Sequence, residues 1–154
     1  MKEVYQEAQQ FLNDVFAAAR FDLHVEANEG EPGCTLNIDG PDAHILRSEG
    51  GELLDAFEHF VNQAFSRELP ENTHFICDVH SFRAIRESEL RAMARHAAGR
   101  VRSNGVPFTF GPMNANERRI IHLELAEEEG LFTESVGEGN ARRLKVSLKT
   151  PAKN

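Results

Sequence analysis

The residues of this 154-residue chain best suited to chemistry lie in the stretch NERRIIHLEL, Asn116 to Leu125. Arg118 and His122 are four residues apart, a spacing that puts two side chains on one face of a helix. Arginine offers a planar fork of donors to phosphate oxygens. Histidine adds a ring donor, a stackable face and, once protonated, a positive charge. Side by side they make an anion receptor; the bland alternative is a solvated helix edge. Reinforcement could come from Arg83 and Arg86, at the start of the preceding predicted helix, and from Arg143 and Lys145 on an exposed strand face. Topology suggests one groove for all six. Arg119 would point away from Arg118, which leaves an ion pair as open to it as a ligand contact.

The host is acidic, with a formal net charge of −8, and an acidic surface repels phosphate. The charge is unevenly divided. Residues 1–78 hold four Lys/Arg against sixteen Asp/Glu, a balance of −12, whereas residues 79–154 hold thirteen against nine, a balance of +4. Such asymmetry points to two modules with different partners, the second better suited to a polyanion. The Arg118/His122 pair lies in the basic half.

Composition excludes several classes. With 40% hydrophobic and 27% charged residues the chain falls outside the disordered regime. No apolar run approaches the roughly 18 residues of a membrane helix, and MKEVYQEAQQFLNDVF lacks a signal-peptide layout. The expected compartment is therefore cytoplasmic. Cys34 and Cys77 sit in apolar stretches without a CxxC, as buried thiols do. His24, His44, His59, His74, His80 and His96 are scattered singly, and Asp78-Val79-His80 is too weak a pattern to claim. No metal or cofactor is expected. No nucleophile or carboxylate pair accompanies Arg118 and His122, which argues against an enzyme acting on phosphate ends; no catalytic residue is assigned.

The elements that must position these residues follow from periodicity. Apolar residues from Val4 to Ala19 recur at helical spacing and predict a helix over 2–20. FDLHVEA and CTLNI alternate around NEGEPG and predict a β-hairpin. Two helices separated at Gly50-Gly51 come next, the second with Leu53, Leu54, Phe57, Phe60, Val61, Ala64 and Phe65 on its apolar face, and THFICDV is a third strand. The order is α-β-β-α-α-β. A long helix then carries Phe82, Ile85, Leu90, Met93, Ala97 and Val101 inward and closes at Asn104-Gly105. Arg91, Arg95 and Arg102 line one outer side, where a solubilising role is the simpler reading. VPFTF is a strand. Asn114 with Glu117 forms a capping-box pattern opening the helix of Arg118, with Ile120, Ile121 and Leu125 buried. LFTESV and ARRLKVSLK close the domain as a hairpin, with Leu144, Val146 and Leu148 inward and Arg143, Lys145, Ser147 and Lys149 outward.

The stretch FRAIRESELRAMARHAAGRVRSNGVPFTFGPMNANERRIIHLEL, leading into TESVGEGNARRLKV, closely resembles the C-terminal domain of the Jag, or SpoIIIJ-associated, family of bacterial proteins. That domain is named R-three-H for an Arg-x-x-x-His motif, matched by Arg118 and His122 within the block PMNANERRIIH. The α-β-β-α-α-β half resembles the type II KH domain that precedes it in the family. The implied fold is α+β: a KH-like domain over 1–79, an R-three-H domain of two helices on a three-stranded sheet over 80–150, and a flexible tail over 151–154. The N-terminal domain of many members is expected to be absent. The family's Gly-x-x-Gly loop falls on Ser48, Glu49, Gly50 and Gly51. A Cβ at Ser48 hinders backbone approach to the roughly four nucleotides such a loop clamps, and the Glu49 carboxylate opposes phosphate. The expectation is a degenerate loop, with Arg47 beside it as the contrary sign.

The resemblance implies single-stranded nucleic-acid binding, RNA foremost and DNA as the other substrate, through Arg118 and His122. The competing function is an interaction module in which the acidic half docks a protein, a small KH-domain partner being what the resemblance suggests. No membrane partner is expected.

Overall fold

A computed structural model describes residues 1–31 and 33–149; the expected tail over 151–154 lies outside them. The chain divides into two compact units, Met1–Arg83 and Ala84–Asn154, each with its own apolar core. The division falls four residues beyond the expected one at 79/80. Phe82 packs against the first core, and Arg83 is ion-paired to Asp55 and Glu58 of that unit.

The first unit runs α1 (Lys2–Ala18), β1 (His24–Glu29), β2 (Cys34–Asp39), α2 (Ala43–Arg47), α3 (Glu52–Phe65) and β3 (Phe75–Asp78), with a 3-10 turn at Ser48–Gly51 between α2 and α3. On α1 the buried residues Tyr5, Ala8, Leu12 and Phe16 repeat every three to four positions, the stripe a helix needs to cover a sheet. On β2, Cys34, Leu36 and Ile38 alternate inward. The sheet order is β1-β2-β3, with β1 antiparallel and β3 parallel to β2. The parallel pair requires a crossover, supplied by α2 and α3. Both sheet edges are covered by helix side chains. Asn13 and Gln9 of α1 accept from the Val25 and Ala27 N–H groups, and Asn62 of α3 both accepts from the Phe75 N–H and donates to the Phe75 carbonyl. Edge groups that would otherwise invite another strand are thereby satisfied. Phe60, expected in the core, is 49% exposed, with its ring against that of the partly buried Phe11.

The second unit contains α4 (Phe82–Asn104, entered from the first unit), β4 (Phe108–Thr109), α5 (Ala115–Ala126), β5 (Leu131–Val136) and β6 (Arg143–Leu148). Its antiparallel sheet has the order β4-β6-β5. Two helices on a three-stranded sheet agree with the sequence expectation. The inward face of α4 is Leu90, Ala94, Ala97, Ala98 and Val101. Ile85 and Met93 were expected there, yet they are 53% and 38% exposed. The stripe Leu90-Ala94-Ala97-Val101 leaves Met93 off its axis, and three alanines allow close approach of the neighbouring elements. Leu148 is likewise 44% exposed at the end of its strand.

Candidate nucleic-acid interface

The α5 helix begins where Asn114, in extended conformation, accepts a hydrogen bond from the Glu117 N–H at 2.9 Å. This is half of a capping box. The Glu117 carboxylate does not return to the Asn114 N–H; it is buried and accepts from Arg86 Nε at 2.8 Å. Glu117 is the one buried charged side chain among the described residues, and pairing is what makes such burial tolerable. Ile121 and Leu125 enter the core while Ile120 packs at its margin. These anchors fix the rotation of α5 about its axis and hence the direction of Arg118 and His122.

Arg118 and His122 flank a cleft of about 360 Å³ between α5 and β5, completed by Ala115, Arg119, Thr133, Ser135 and Leu144, with Glu134 of the edge strand as the one carboxylate among the described residues lining it. His122 Nδ1 is hydrogen-bonded to the Thr133 hydroxyl, which orients the ring; this contact was not foreseen from sequence. Thr133 and Ser135 alternate along β5 on the side facing α5, opposite Val146 and Leu144. That period-two pattern is the signal that could have singled them out. The Nε of Arg118 is buried with no hydrogen-bond partner. A buried donor left unpaired costs about 1–3 kcal/mol, and the rest of the Arg118 side chain lines the cleft. Arg119 is exposed, lines the same cleft and has no ion pair among the described residues.

The other expected cations lie elsewhere. Arg83 is committed within the first unit: its guanidinium meets Asp55 at 2.7 Å and Glu58 at 3.0 Å and donates to the Cys77 carbonyl. The Asp55 and Glu58 carboxylates raise its pKa although burial opposes this. Arg86 is held by Glu117 and Glu89, and the Glu117 hydrogen bond raises its pKa. Both guanidiniums are engaged within their own unit, Arg83 through all three nitrogens and Arg86 through Nε and Nη1. Arg143 and Lys145 alternate with buried Leu144 and Val146, so they project from the sheet face opposite α5. Of the six residues expected in one groove, Arg118 and His122 share the α5 side of the sheet, whereas Arg143 and Lys145 lie on its other side. On α4, Arg91, Arg95 and Arg102 pair with Glu87, Glu124 and Glu128, in keeping with a solvated face.

In the KH-like unit the loop takes a left-handed course through Glu49 (φ 53°), Gly50 (φ 66°) and Gly51 (φ 84°). Gly51 is buried, and a Cβ there would come within 2.7 Å of the Phe82 ring. The last glycine of the motif thus serves packing. Ser48 Oγ donates to the His44 carbonyl, and Glu49 projects into solvent. No group of three or more His, Cys, Asp or Glu suited to a metal occurs among the described residues, and no described helix is long and apolar enough to cross a membrane.

Among known proteins, residues 88–148 match the family model of the R-three-H domain. The RNA-binding protein KhpB of Clostridium symbiosum is 32% identical over 151 residues, covering 96% of this chain and 68% of that protein. The chain belongs to the Jag (KhpB) family. The RNA-binding protein KhpB of Bacillus subtilis is 27% identical over 146 residues, covering 94% of this chain and 70% of its own. That of Lactiplantibacillus plantarum is 25% identical over 125 residues, covering 81% and 39% respectively. These Jag-family relatives carry the name of RNA-binding proteins. The α+β fold, a KH-like unit followed by an R-three-H unit, is the one the resemblance implied.

Proposed function

We propose that this Jag-family chain binds single-stranded RNA, with the α5–β5 cleft of the second unit as its phosphate site. The observation that carries the reading is the cleft lined together by Arg118, Arg119 and His122. The arginines of α4 that form ion pairs find carboxylates inside the protein, whereas Arg118 and Arg119 find none among the described residues. A phosphate in the cleft accepts from the guanidinium groups of Arg118 and Arg119, and the His122 ring adds a further donor. Unpaired bases then remain accessible for stacking, which is how sequence-tolerant recognition of single strands works.

The test is titration of a labelled single-stranded RNA at several salt concentrations. About four neutralised phosphates give a slope of log affinity against log salt near −3. Arg118→Ala is expected to weaken binding and flatten the slope by about 0.7. Unchanged affinity in the double Arg118/His122 alanine variant refutes the reading. Single-stranded DNA in the same titration shows whether the sugar is read.

A specific observation favours a second reading for the KH-like unit, that of protein docking. Beside its loop lies an apolar cleft of about 350 Å³ formed by Ile45, Leu53 and Ala56 with Glu49 and Glu52 at the rim. Two carboxylates there oppose a phosphate chain and suit a basic protein segment. Glu49→Lys tests this directly: a gain of RNA affinity assigns the cleft to nucleic acid, and loss of a protein partner with RNA affinity unchanged assigns it to docking.

A further inference from the structure

The sheet face of the second unit turned away from α5 holds an exposed aromatic ring among unpaired cations. Phe132 on β5 is 48% exposed, and its register partner is Ser147. It borders a shallow hollow of about 340 Å³ together with Ser147, Leu148 and Lys149. Arg143 and Lys145 project to the same side, four and two residues before Ser147 along β6. Lys149 continues the alternation, since its N–H still donates to the Gly130 carbonyl. None of these three cations has an ion pair among the described residues, and Glu134, opposite Lys145, is the one carboxylate in the strand-paired part of this face.

We propose that this face is a base-stacking subsite for the same RNA strand, with Phe132 as the platform and Lys145 and Lys149 beside it on the flanking phosphates. The proposal rests on the reading of the Arg118/His122 cleft as a phosphate site and adds where a base goes. Three observations carry it. A large exposed ring near the start of a regular strand lies outside the core of its unit, while a nucleobase of any identity can lie on it. The surrounding cations attract an anionic strand, and the flat exposed ring beside them suits a nucleobase rather than an acidic side chain. The two surfaces are also contiguous: Thr133, which holds His122, and Phe132 are successive residues of β5, about 3.3 Å apart along the strand and on opposite faces. Because β5 is an edge strand of the sheet, no other strand separates the two faces, and a single strand of RNA can fold over that edge with phosphate on one side and base on the other.

The experiment uses the full chain and a fluorescein-labelled single-stranded oligouridylate of about eight nucleotides carrying 5-iodouridine. Phe132→Ala is expected to weaken binding about fivefold to tenfold with the salt slope unchanged, because no charge is removed. Phe132→Leu keeps apolar bulk without a π face and is expected to lose affinity likewise, whereas Phe132→Trp retains it. Lys145→Ala is expected to reduce the slope by about 0.7. Photocrosslinking is expected to map to the peptide containing Phe132. Parental affinity in Phe132→Ala and Phe132→Leu, with crosslinks elsewhere, overturns the proposal. So does loss of self-association in Phe132→Ala at unchanged RNA affinity, which makes the face a contact between copies of the chain. Failure here with a strong Arg118→Ala effect leaves the cleft reading standing. A Phe132 effect without any effect of the Arg118/His122 double variant overturns the cleft reading instead.

Discussion

Glu117 and Arg86 show how burial changes what a residue is for. Their side chains are 6% and 29% exposed, and the pair joins α4 to the first turn of α5. Arg86→Ala leaves a buried carboxylate without its main donor, and a loss of about 2–3 kcal/mol in unfolding free energy is expected. RNA affinity of the folded fraction should stay at the parental level, a combination checked by urea melts alongside RNA titration. Arg118→Ala should do the reverse, removing an unpaired donor with little loss of stability. Asp39 offers a pH test in the first unit. The Gly40 N–H, then His80, holds its carboxyl below the usual carboxylate range. A depressed folded-state pKa gives stabilisation that is present above the unfolded value and lost as pH falls through the folded one. Asp39→Asn should therefore reduce the acid-side loss of stability below about pH 4, seen as a shallower fall of the melting midpoint between mildly and strongly acid buffers.

At the scale of elements, the loop between α2 and α3 separates sequence appearance from structural role. Its two glycines look like the remnant of a nucleotide clamp, but Gly51 has a positive φ and the Phe82 ring where a Cβ would stand. Gly51→Ala is expected to destabilise the first unit by about 2–3 kcal/mol, from left-handed strain together with a displaced ring. Ser48→Gly should be near neutral, because Ser48 is exposed and its hydroxyl makes one local bond. Parallel thermal melts of the two variants check the contrast. Asn62 is the comparable residue on α3: one side chain satisfies both backbone groups of Phe75 at the edge of the sheet. The helix and strand types were legible because apolar residues recur at periods near 3.6 or 2. What escaped was the aim of individual side chains. Met93 and Ile85 fit a helical stripe as apolar residues, yet the axis of burial on α4 is set by which of its faces meets the sheet.

For the whole molecule, two separate cores and a charge division along the chain imply independent stability. With the boundary after Arg83 the balance becomes −11 for the first unit and +3 for the second. Fragments 1–83 and 84–154 are each expected to melt cooperatively, and RNA affinity should reside in the second. Calorimetry and titration of the fragments check both statements. Burial also protects the thiols of the first unit: both cysteines are buried, and burial pushes the Cys77 thiol up to about 12. Neither should react with iodoacetamide at about pH 8 in the native state, and both should react in denaturant.

The sequence by itself determined the order of elements, the two-module charge asymmetry and the Arg118/His122 pair, because each depends on local spacing or simple counting. Only the tertiary structure decided which cations are available. Arg83, Arg86, Arg118, Arg143 and Lys145 look alike in sequence, since a cation carries no mark of the carboxylate that will reach it. Folding brings Asp55 and Glu58 to Arg83 and Glu117 to Arg86, leaves Arg118 with an empty donor beside a cleft, and, through the pleat of β6, turns Arg143 and Lys145 to the opposite side of the sheet. Long-range pairing and strand register make these assignments, and neither is encoded in the spacing of neighbouring residues.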